Sequence, residues 1–170
     1  MSEQPLLEPL KQTPHIVAFL DFLGASEKMR SPEQNNIFLQ EINYVYAFAN
    51  CILQRTQEFR PNRIKVKIFS DNIVIAEEIK DQESIIDEFV DIEQFSLLLY
   101  TNSLLNRNMM RGAISIGQLY MDDTFVYGEA LLNAYNCESS IATYPRIVVD
   151  KKVFDCDSGD ILNLYNSPGE

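Results

Sequence analysis

Two aspartates, each set inside a stretch that otherwise reads as a buried strand, are the residues of this chain best suited to chemistry. Asp21 lies in HIVAFLDFLGA, residues 15–25, and Asp71 lies in IKVKIFSDNIVIAEE, residues 64–78. A carboxylate at the edge of a core is costly unless a cation meets it. Mg²⁺ takes carboxylate oxygens and completes its shell with phosphate and water. Two such acids on neighbouring strands therefore predict a divalent metal site.

Three further features could contact phosphate groups near those acids. Residues 23–26, Leu-Gly-Ala-Ser, form a turn into a helix, whose free backbone N–H groups would suit phosphate oxygens. Arg111 opens a predicted strand and offers a planar guanidinium for a phosphate. Lys67 lies four residues before Asp71, and side chains at even offsets along a strand share a face. Each feature also has a purely structural interpretation, as a helix entry, a surface arginine or a solvated lysine.

The composition favours a single domain and restricts its ligands. The chain has 170 residues, of which 46% are hydrophobic, enough for one substantial core. Its formal net charge of −11 disfavours a DNA-binding surface, because contacts to duplex phosphates need clustered Lys and Arg. No run approaches the roughly 20 apolar residues that span a bilayer, so we expect no membrane partner.

The histidine and cysteine content gives little support to several other classes of site. His15 is the single histidine and begins a predicted strand, which disfavours histidine-based zinc sites and Ser-His-Asp hydrolysis. The three cysteines share no CxxC spacing, and the N-terminus lacks the basic start and apolar run of a secretory signal. We therefore expect reduced thiols and a cytoplasmic location.

The spacing of apolar residues predicts strands that alternate with helices. Strands are predicted over 15–22, 63–69, 72–77, 111–120, 124–128, 146–150 and 152–155, and helices from Gly24 onward and over 33–58, 81–106 and 129–142. This order predicts an α+β fold with a ferredoxin-like core, in which helices pack on one face of a central, antiparallel-rich sheet. The hairpin would place Asp71 beside the first strand, close to Asp21. We expect an N-terminal arm over 1–13, the domain over 14–157 and a short polar tail over 158–170.

Four segments match, in order, the motifs of one family. They are FLDFLG at 19–24, KIFSD at 67–71, RGAISIG at 111–117, and Tyr127-Gly128 followed by a helix that ends in Glu138-Ser139. By these motifs the chain resembles, from about residue 14 to 155, the class III nucleotidyl cyclases, which include the catalytic domains of adenylyl and guanylyl cyclases. The phrases MRGAISIGQLY, VYGEALLNAY and YPRIVVD are most similar to the bacterial pyrimidine cyclases of the Pycsar anti-phage defence system.

The resemblance implies a site and its ligands. It implies two divalent ions, Mg²⁺ or Mn²⁺, a nucleoside triphosphate substrate, and a homodimer with sites at the interface, whose cyclic product acts on a separate effector. Arg111 would contact a phosphate, and Lys67 would lie near the base. The implied residues are Asp21, Asp71 and Arg111 for catalysis, Asp21, Phe22 and Asp71 for metal binding, and Phe22, Leu23, Gly24, Ala25 and Lys67 for nucleotide binding.

Three departures from the purine cyclases bear on the substrate. Leu132 and Asn136 stand where the purine enzymes place an Asn and an Arg, and Phe125 stands where many place an acid. We therefore expect a cyclase that makes cyclic UMP or cyclic CMP, with UTP favoured because uridylate cyclases are the commoner type of that branch. Two alternatives are kept: a purine cyclase, and a catalytically silent domain that binds a nucleotide or dimerises.

Overall fold

The computed structural model describes residues 9–61, 63–80, 85–156 and 161. Its elements, in chain order, are β1 (Thr13–Phe22), α1 (Ala25–Arg30), α2 (Asn35–Phe59), β2 (Ile64–Phe69), β3 (Asn72–Glu78), α3 (Ile86–Leu105), β4 (Met110–Met121), β5 (Val126–Gly128), α4 (Glu129–Ile141), β6 (Ile147–Val149) and α5 (Lys151–Cys156). Within those ranges, none of the helices combines the length and apolar character that a membrane crossing requires.

The sheet places β1 at its centre. The strand order is β2-β3-β1-β4-β5 with antiparallel neighbours, and β6 pairs in parallel with the first half of β4. The register sets Asp21 of β1 opposite Asn72 of β3 on one side and opposite Arg111 of β4 on the other. A Cβ on Gly112 would lie 2.6 Å from the carbonyl oxygen of Phe19, so glycine permits the close approach of β1 and β4 beside Arg111.

Both faces of the sheet are covered, because β1 is apolar on both of its faces. Residues 16–20 are all buried. Ile16, Ala18 and Leu20 pack with α2 and α3, whereas Val17 and Phe19 pack with α4 on the opposite face. The expectation that the helices lie on one face was therefore wrong. The face that α4 shares also carries Asp21, since side chains two residues apart along a strand point the same way.

Most predicted elements agree with the structure to within two residues, and one does not. The strand expected over 152–155 is the helix α5. Asp150 begins this helix as an N-cap, since its carboxylate accepts a hydrogen bond from the Lys152 N–H at 3.1 Å. Val153 is buried in the core. The predicted start of the third helix falls on residues 81–84, outside the described residues.

Candidate functional site

Asp21 and Asp71 adjoin at the end of β1. Asp21 is the penultimate residue of that strand, and Asp71 lies in the turn between β2 and β3. The two backbones meet directly, since the Phe22 N–H donates a hydrogen bond to the Asp71 carbonyl oxygen at 3.2 Å. The charge of Asp71 also reaches Asp21, whose pKa is raised by burial, then by the charge of Glu138 and then by that of Asp71. The structure thus brings together the two acids that the sequence paired.

Tyr46 of α2 holds the turn that presents Asp71. Its hydroxyl donates a hydrogen bond to the Ser70 carbonyl oxygen at 2.5 Å, and its ring meets that of Phe22 with centroids 6.2 Å apart. Burial, and then the charge of Asp71, raise the pKa of Tyr46 to about 12. Ser70 has φ 53°, in the left-handed region that glycine enters more easily. Sequence reasoning missed Tyr46, because nothing in the pattern separates it from the other aromatic residues of its helix.

Arg111 forms ion pairs with carboxylates from two other elements. Its Nε lies 3.4 Å from Asp21 Oδ2 and forms a closer ion pair with Oε1 of Glu138 on α4. Glu138 is only 1% exposed, and its Oε2 accepts a hydrogen bond from the Ser139 hydroxyl at 2.9 Å. The sequence marked Glu138 only as part of a helix-ending motif. The structure places it as a third carboxylate of this cluster.

The cluster carries an excess of negative charge in a partly desolvated place. Burial raises the pKa of Asp21 to about 6, and the charges of Glu138 and Asp71 add to that rise. The Arg111 guanidinium lowers the pKa of Asp21, but this effect is smaller than the others. Asp21 and Glu138 thus share one guanidinium, with Asp71 as a third nearby negative charge, and a cation would relieve their repulsion.

The oxygen donors of this cluster fit a hard divalent cation that is held jointly by protein and substrate. Asp21 and Asp71 supply carboxylate oxygens, which Mg²⁺ and Mn²⁺ prefer. Phe22 could add only its backbone carbonyl, because its side chain is apolar and buried. In the described part of the chain, no group of three or more His, Cys, Asp or Glu side chains is arranged to hold a metal alone. Phosphate and water would have to complete the shell, as is usual for Mg²⁺.

The turn after β1 differs in part from its expected role in phosphate binding. The N–H groups of Phe22 and Leu23 donate to the carbonyls of Asp71 and Met109, the second at 2.9 Å, so they are not free for a phosphate. The reason is that β1 continues its backbone pairing through this turn. Gly24 follows with φ 74° as the N-cap of α1, and Ala25, the first residue of the helix, is buried.

Lys67 lies on the expected face of the sheet. It stands opposite Val74 of β3, whose side chain belongs to the same face as Phe19 and, by alternation, Asp21. Its ammonium group donates a hydrogen bond to the carbonyl oxygen of Asp123 at 2.5 Å. Lys67 therefore joins the edge of the sheet to the β4–β5 turn, and a contact with a base would require this bond to open.

An apolar groove opens beside the acid pair, on the face that α4 partly covers. Its volume is about 840 Å³, within the range of ligand sites. Its walls include the aromatic and aliphatic side chains of Phe19, Phe69, Leu132 and Tyr135, together with Asn72, the residue after Asp71. Leu132 is 57% exposed and Tyr135 is 50% exposed. Such a surface is suited to a flat ring or to a second protein surface.

The chain matches no protein-family model and no curated protein. It is similar to solved structures that include the adenylyl cyclase CyaB from P. aeruginosa, at 13% identity and a TM-score of 0.59, over 88% of this chain and 82% of that one. Another is a class III adenylyl cyclase-like ATP-binding protein from Pseudomonas aeruginosa, at 8% identity and a TM-score of 0.63, over 92% of this chain and 37% of that one. The chain thus spans well under half of the second protein. These likenesses confirm the predicted α+β fold as class III cyclase-like.

Proposed function

We propose that this chain is a nucleotidyl cyclase that converts UTP or CTP to the 3′,5′-cyclic monophosphate and pyrophosphate. The observation that carries the proposal is the acid pair in a cyclase-like fold. Asp21 and Asp71 come from separate elements, and a backbone hydrogen bond from Phe22 to Asp71 joins them. Several carboxylates in one place destabilise the folded protein, and a bound metal–triphosphate complex would offset their repulsion.

Each residue of the cluster has a defined part in this proposal. Asp21 and Asp71 hold two divalent ions, Mg²⁺ or Mn²⁺, to which the Phe22 carbonyl can add an oxygen. Bound divalent ions lower the pKa of an attacking hydroxyl and neutralise charge on the transferred phosphate and the leaving pyrophosphate. Arg111 contributes a guanidinium for phosphate oxygens, and Lys67 lies on the same face of the sheet toward the base.

The reaction needs no second substrate. The 3′-hydroxyl oxygen of the nucleotide bonds to its own α-phosphorus, the bond from that phosphorus to the bridging oxygen breaks, and pyrophosphate leaves. The hydroxyl proton passes to a carboxylate of the cluster or to water. His15 is not its acceptor, because it lies six residues from Asp21 along β1, about 20 Å for an extended strand.

The preference for a pyrimidine rests on the residues around the groove. Leu132 lines it and Asn136 follows one helical turn later, in place of the Asn and Arg of the purine enzymes. Phe125, in place of an acid, packs against Tyr120 with ring centroids 5.2 Å apart. The adenylyl cyclase names of the structural neighbours favour the second candidate, a purine cyclase. Asn136, in place of an arginine that could stabilise the transition state, favours the third, a silent nucleotide-binding domain.

The proposed enzyme is a cytoplasmic homodimer whose product activates a separate effector in anti-phage defence. The dimer is supported by the exposed apolar side chains around the groove. Tyr127 is 65% exposed, and Leu132 and Tyr135 are each at least half exposed. Contiguous apolar surface of this kind commonly marks an interaction site. A second copy over the groove would exclude water from the acid pair.

The direct test is to incubate the purified protein separately with ATP, GTP, CTP and UTP, with Mn²⁺ or Mg²⁺, and to identify products by mass spectrometry. We expect one cyclic pyrimidine monophosphate from the wild type and none from Asp71→Ala. Asp155→Ala is the matched control, because Asp155 is an exposed acid that pairs only with Lys151 of its own helix among the described residues. A folded protein with no product from any nucleotide would overturn the proposal, and a cyclic purine would replace the pyrimidine assignment.

A further inference from the structure

Glu138 is a buried acid of α4 to which the sequence assigned no role. The other buried residues of this helix are small, namely Ala130, Ala134 and Cys137. A carboxylate buried among them is costly unless it is paired. Its Oε2 accepts a hydrogen bond from the Ser139 hydroxyl, whereas its Oε1 forms an ion pair with Arg111 but accepts no hydrogen bond among the described residues. Its position is therefore held on two sides, with the guanidinium as its charged partner.

The contacts of Arg111 with protein carboxylates determine which of its N–H groups could bind a ligand. The ion pairs that the structure shows for Arg111, with Glu138 and with Asp21, both use Nε. A guanidinium has five N–H donors, of which Nε carries one and the two Nη groups carry four. Among the described residues, the side-chain hydrogen bond shown for Arg111 is donated by Nε to Asp21, which leaves the four Nη donors for a ligand. They are the ones that could make bidentate contacts with phosphate oxygens.

Asp21 and Glu138 differ in how they would respond to a bound cation. Asp21 accepts the hydrogen bond of Arg111 Nε at 3.4 Å and is also a proposed metal ligand. A divalent ion at Asp21 would repel the guanidinium and compete for the same carboxylate. Glu138 approaches Arg111 more closely and is almost fully buried, so it would keep its partner in place.

We propose that Glu138 is a positioning residue that holds the Arg111 guanidinium by its buried ion pair, so that the outer N–H groups of the guanidinium meet the phosphates of the bound nucleotide. This inference rests on the proposed function, since it assigns Arg111 to a triphosphate. Glu138 does not touch the reacting atoms. It acts by restricting a long side chain that would otherwise lose conformational entropy on binding.

The chain offers a close control for the loss of a buried glutamate. Glu77 of β3 is also 1% exposed and also forms an ion pair with an arginine, Arg63. It stands opposite Ile16 near the start of β1, on the other face of the sheet from Asp21. Glu77→Gln therefore reproduces the removal of a buried, arginine-paired carboxylate without touching the acid pair.

The experiment measures kcat and KM for the nucleotide, together with binding of inorganic pyrophosphate in the presence of Mn²⁺ by calorimetry. We expect Glu138→Gln to weaken pyrophosphate binding and to lower kcat/KM by at least tenfold, with Mn²⁺ binding retained. Ser139→Ala, which frees one carboxylate oxygen but keeps the charge, is expected to act in the same direction by two- to fivefold. Glu77→Gln is expected to change neither quantity.

A double-mutant cycle separates positioning from a general structural effect. If Glu138 acts through Arg111, Glu138→Gln has little further effect on pyrophosphate binding in an Arg111→Gln background. Additive losses, wild-type affinity in folded Glu138→Gln, or an equal loss in Glu77→Gln would each overturn the inference. If Glu138→Gln does not fold, Ser139→Ala decides, and wild-type pyrophosphate affinity there would also overturn it. Because pyrophosphate binding needs no turnover, a wild type that forms no cyclic product would refute the proposed function while this cycle is still measured.

Discussion

Asp21 shows how a residue suited to function can oppose stability. Its carboxylate is partly buried beside two other acids, and these surroundings raise its pKa to about 6. In an unfolded chain the same carboxylate would be fully hydrated and free of that repulsion. The folded protein without metal therefore carries an electrostatic cost at neutral pH. Active sites commonly accept such costs in exchange for binding a charged ligand.

We predict that Asp21→Asn stabilises the metal-free protein and abolishes activity. The amide removes one charge from the cluster, and Arg111 keeps Glu138 as its partner. The expected gain at pH 7.5 is on the order of 1 kcal/mol, since the repulsion is partly screened by solvent. Thermal unfolding with and without Mn²⁺ measures both parts of the prediction. The prediction would be contradicted if Asp21→Asn melted at a lower temperature than the wild type without metal. It would also be contradicted if Mn²⁺ raised the melting temperature of Asp21→Asn as much as that of the wild type.

Glu77 gives a prediction for the dependence of stability on pH. Burial raises the pKa of Glu77 to about 7, against the lowering effect of Arg63, and the charges of Asp91 and Glu88 add to the rise. The folded state therefore keeps this proton up to about pH 7, whereas the unfolded chain releases it near pH 4.5. The stability that the bound proton contributes is fully present below pH 4.5 and is lost as the pH rises to 7.

We therefore expect Glu77→Gln to gain stability relative to the wild type as the pH rises from 5 to 8. The relative gain across that window is roughly 1–3 kcal/mol, at 1.36 kcal/mol for each unit of pKa shift. Denaturant unfolding of both proteins at several pH values measures it, and titrating groups that do not interact with Glu77 cancel in the difference. If Glu77→Gln instead lost stability relative to the wild type as the pH rises, the ion pair with Arg63, rather than burial, would dominate the pKa of Glu77.

At the scale of elements, the site depends on how the β2–β3 turn is attached to the rest of the molecule. Among the described residues, a backbone hydrogen bond from the Phe22 N–H to the Asp71 carbonyl and a hydrogen bond from the Tyr46 hydroxyl to the Ser70 carbonyl attach it to its neighbours. The first joins the turn to β1 and the second joins it to α2. Helix α2 thus helps to set the distance between the two acids, although it contributes no proposed ligand.

We predict that Tyr46→Phe weakens Mn²⁺ binding by about threefold to tenfold, since a typical hydrogen bond contributes roughly 1 kcal/mol. The ring remains, so the packing against Phe22 and most of the folding stability are retained. Ser70→Gly is a useful companion, because it relaxes the left-handed φ without removing the carbonyl acceptor. Mn²⁺ titration followed by electron paramagnetic resonance measures the affinity. Unchanged affinity in a folded Tyr46→Phe protein would show that β1 alone positions Asp71.

At the scale of the whole molecule, the two faces of the sheet are covered to different extents. The face of α2 and α3 is covered by two long helices, whereas α4 covers only part of the other and leaves the groove open. The acid pair lies beside this open part. A monomer would therefore expose both the site and its apolar wall to water, whereas the proposed dimer would cover them.

We predict a dimer at micromolar concentration that Tyr127→Asp dissociates, because a charge would be buried in an apolar interface. Tyr44→Asp is the matched control, since Tyr44 is exposed to nearly the same extent, 64% against 65%, but belongs to α2. Analytical ultracentrifugation over a concentration series measures the association. A wild-type monomer with full turnover would refute the interfacial site, and dissociation by both variants would refute the placement of the interface.

Local patterns in the sequence determined the strands, most helices and the acid pair. Alternating and helical apolar spacing depends on neighbouring residues, so β1 and α2 were predicted closely. The turn residues 70–72 placed Asp71 at the tip of a hairpin for the same reason. The cyclase motifs added the expected role of this pair, and the likeness to solved cyclase structures confirms the fold.

The tertiary structure decided which groups meet across the chain. Asp21 and Arg111 are 90 residues apart in sequence, and neither local pattern indicates that Glu138 would share the guanidinium. The covering of both sheet faces, and the use of the Phe22 and Leu23 N–H groups in backbone pairing, likewise follow from the register of β1 with β3 and β4. Such contacts depend on how whole elements pack, because apolar surfaces must be buried together and no short segment specifies its distant partner.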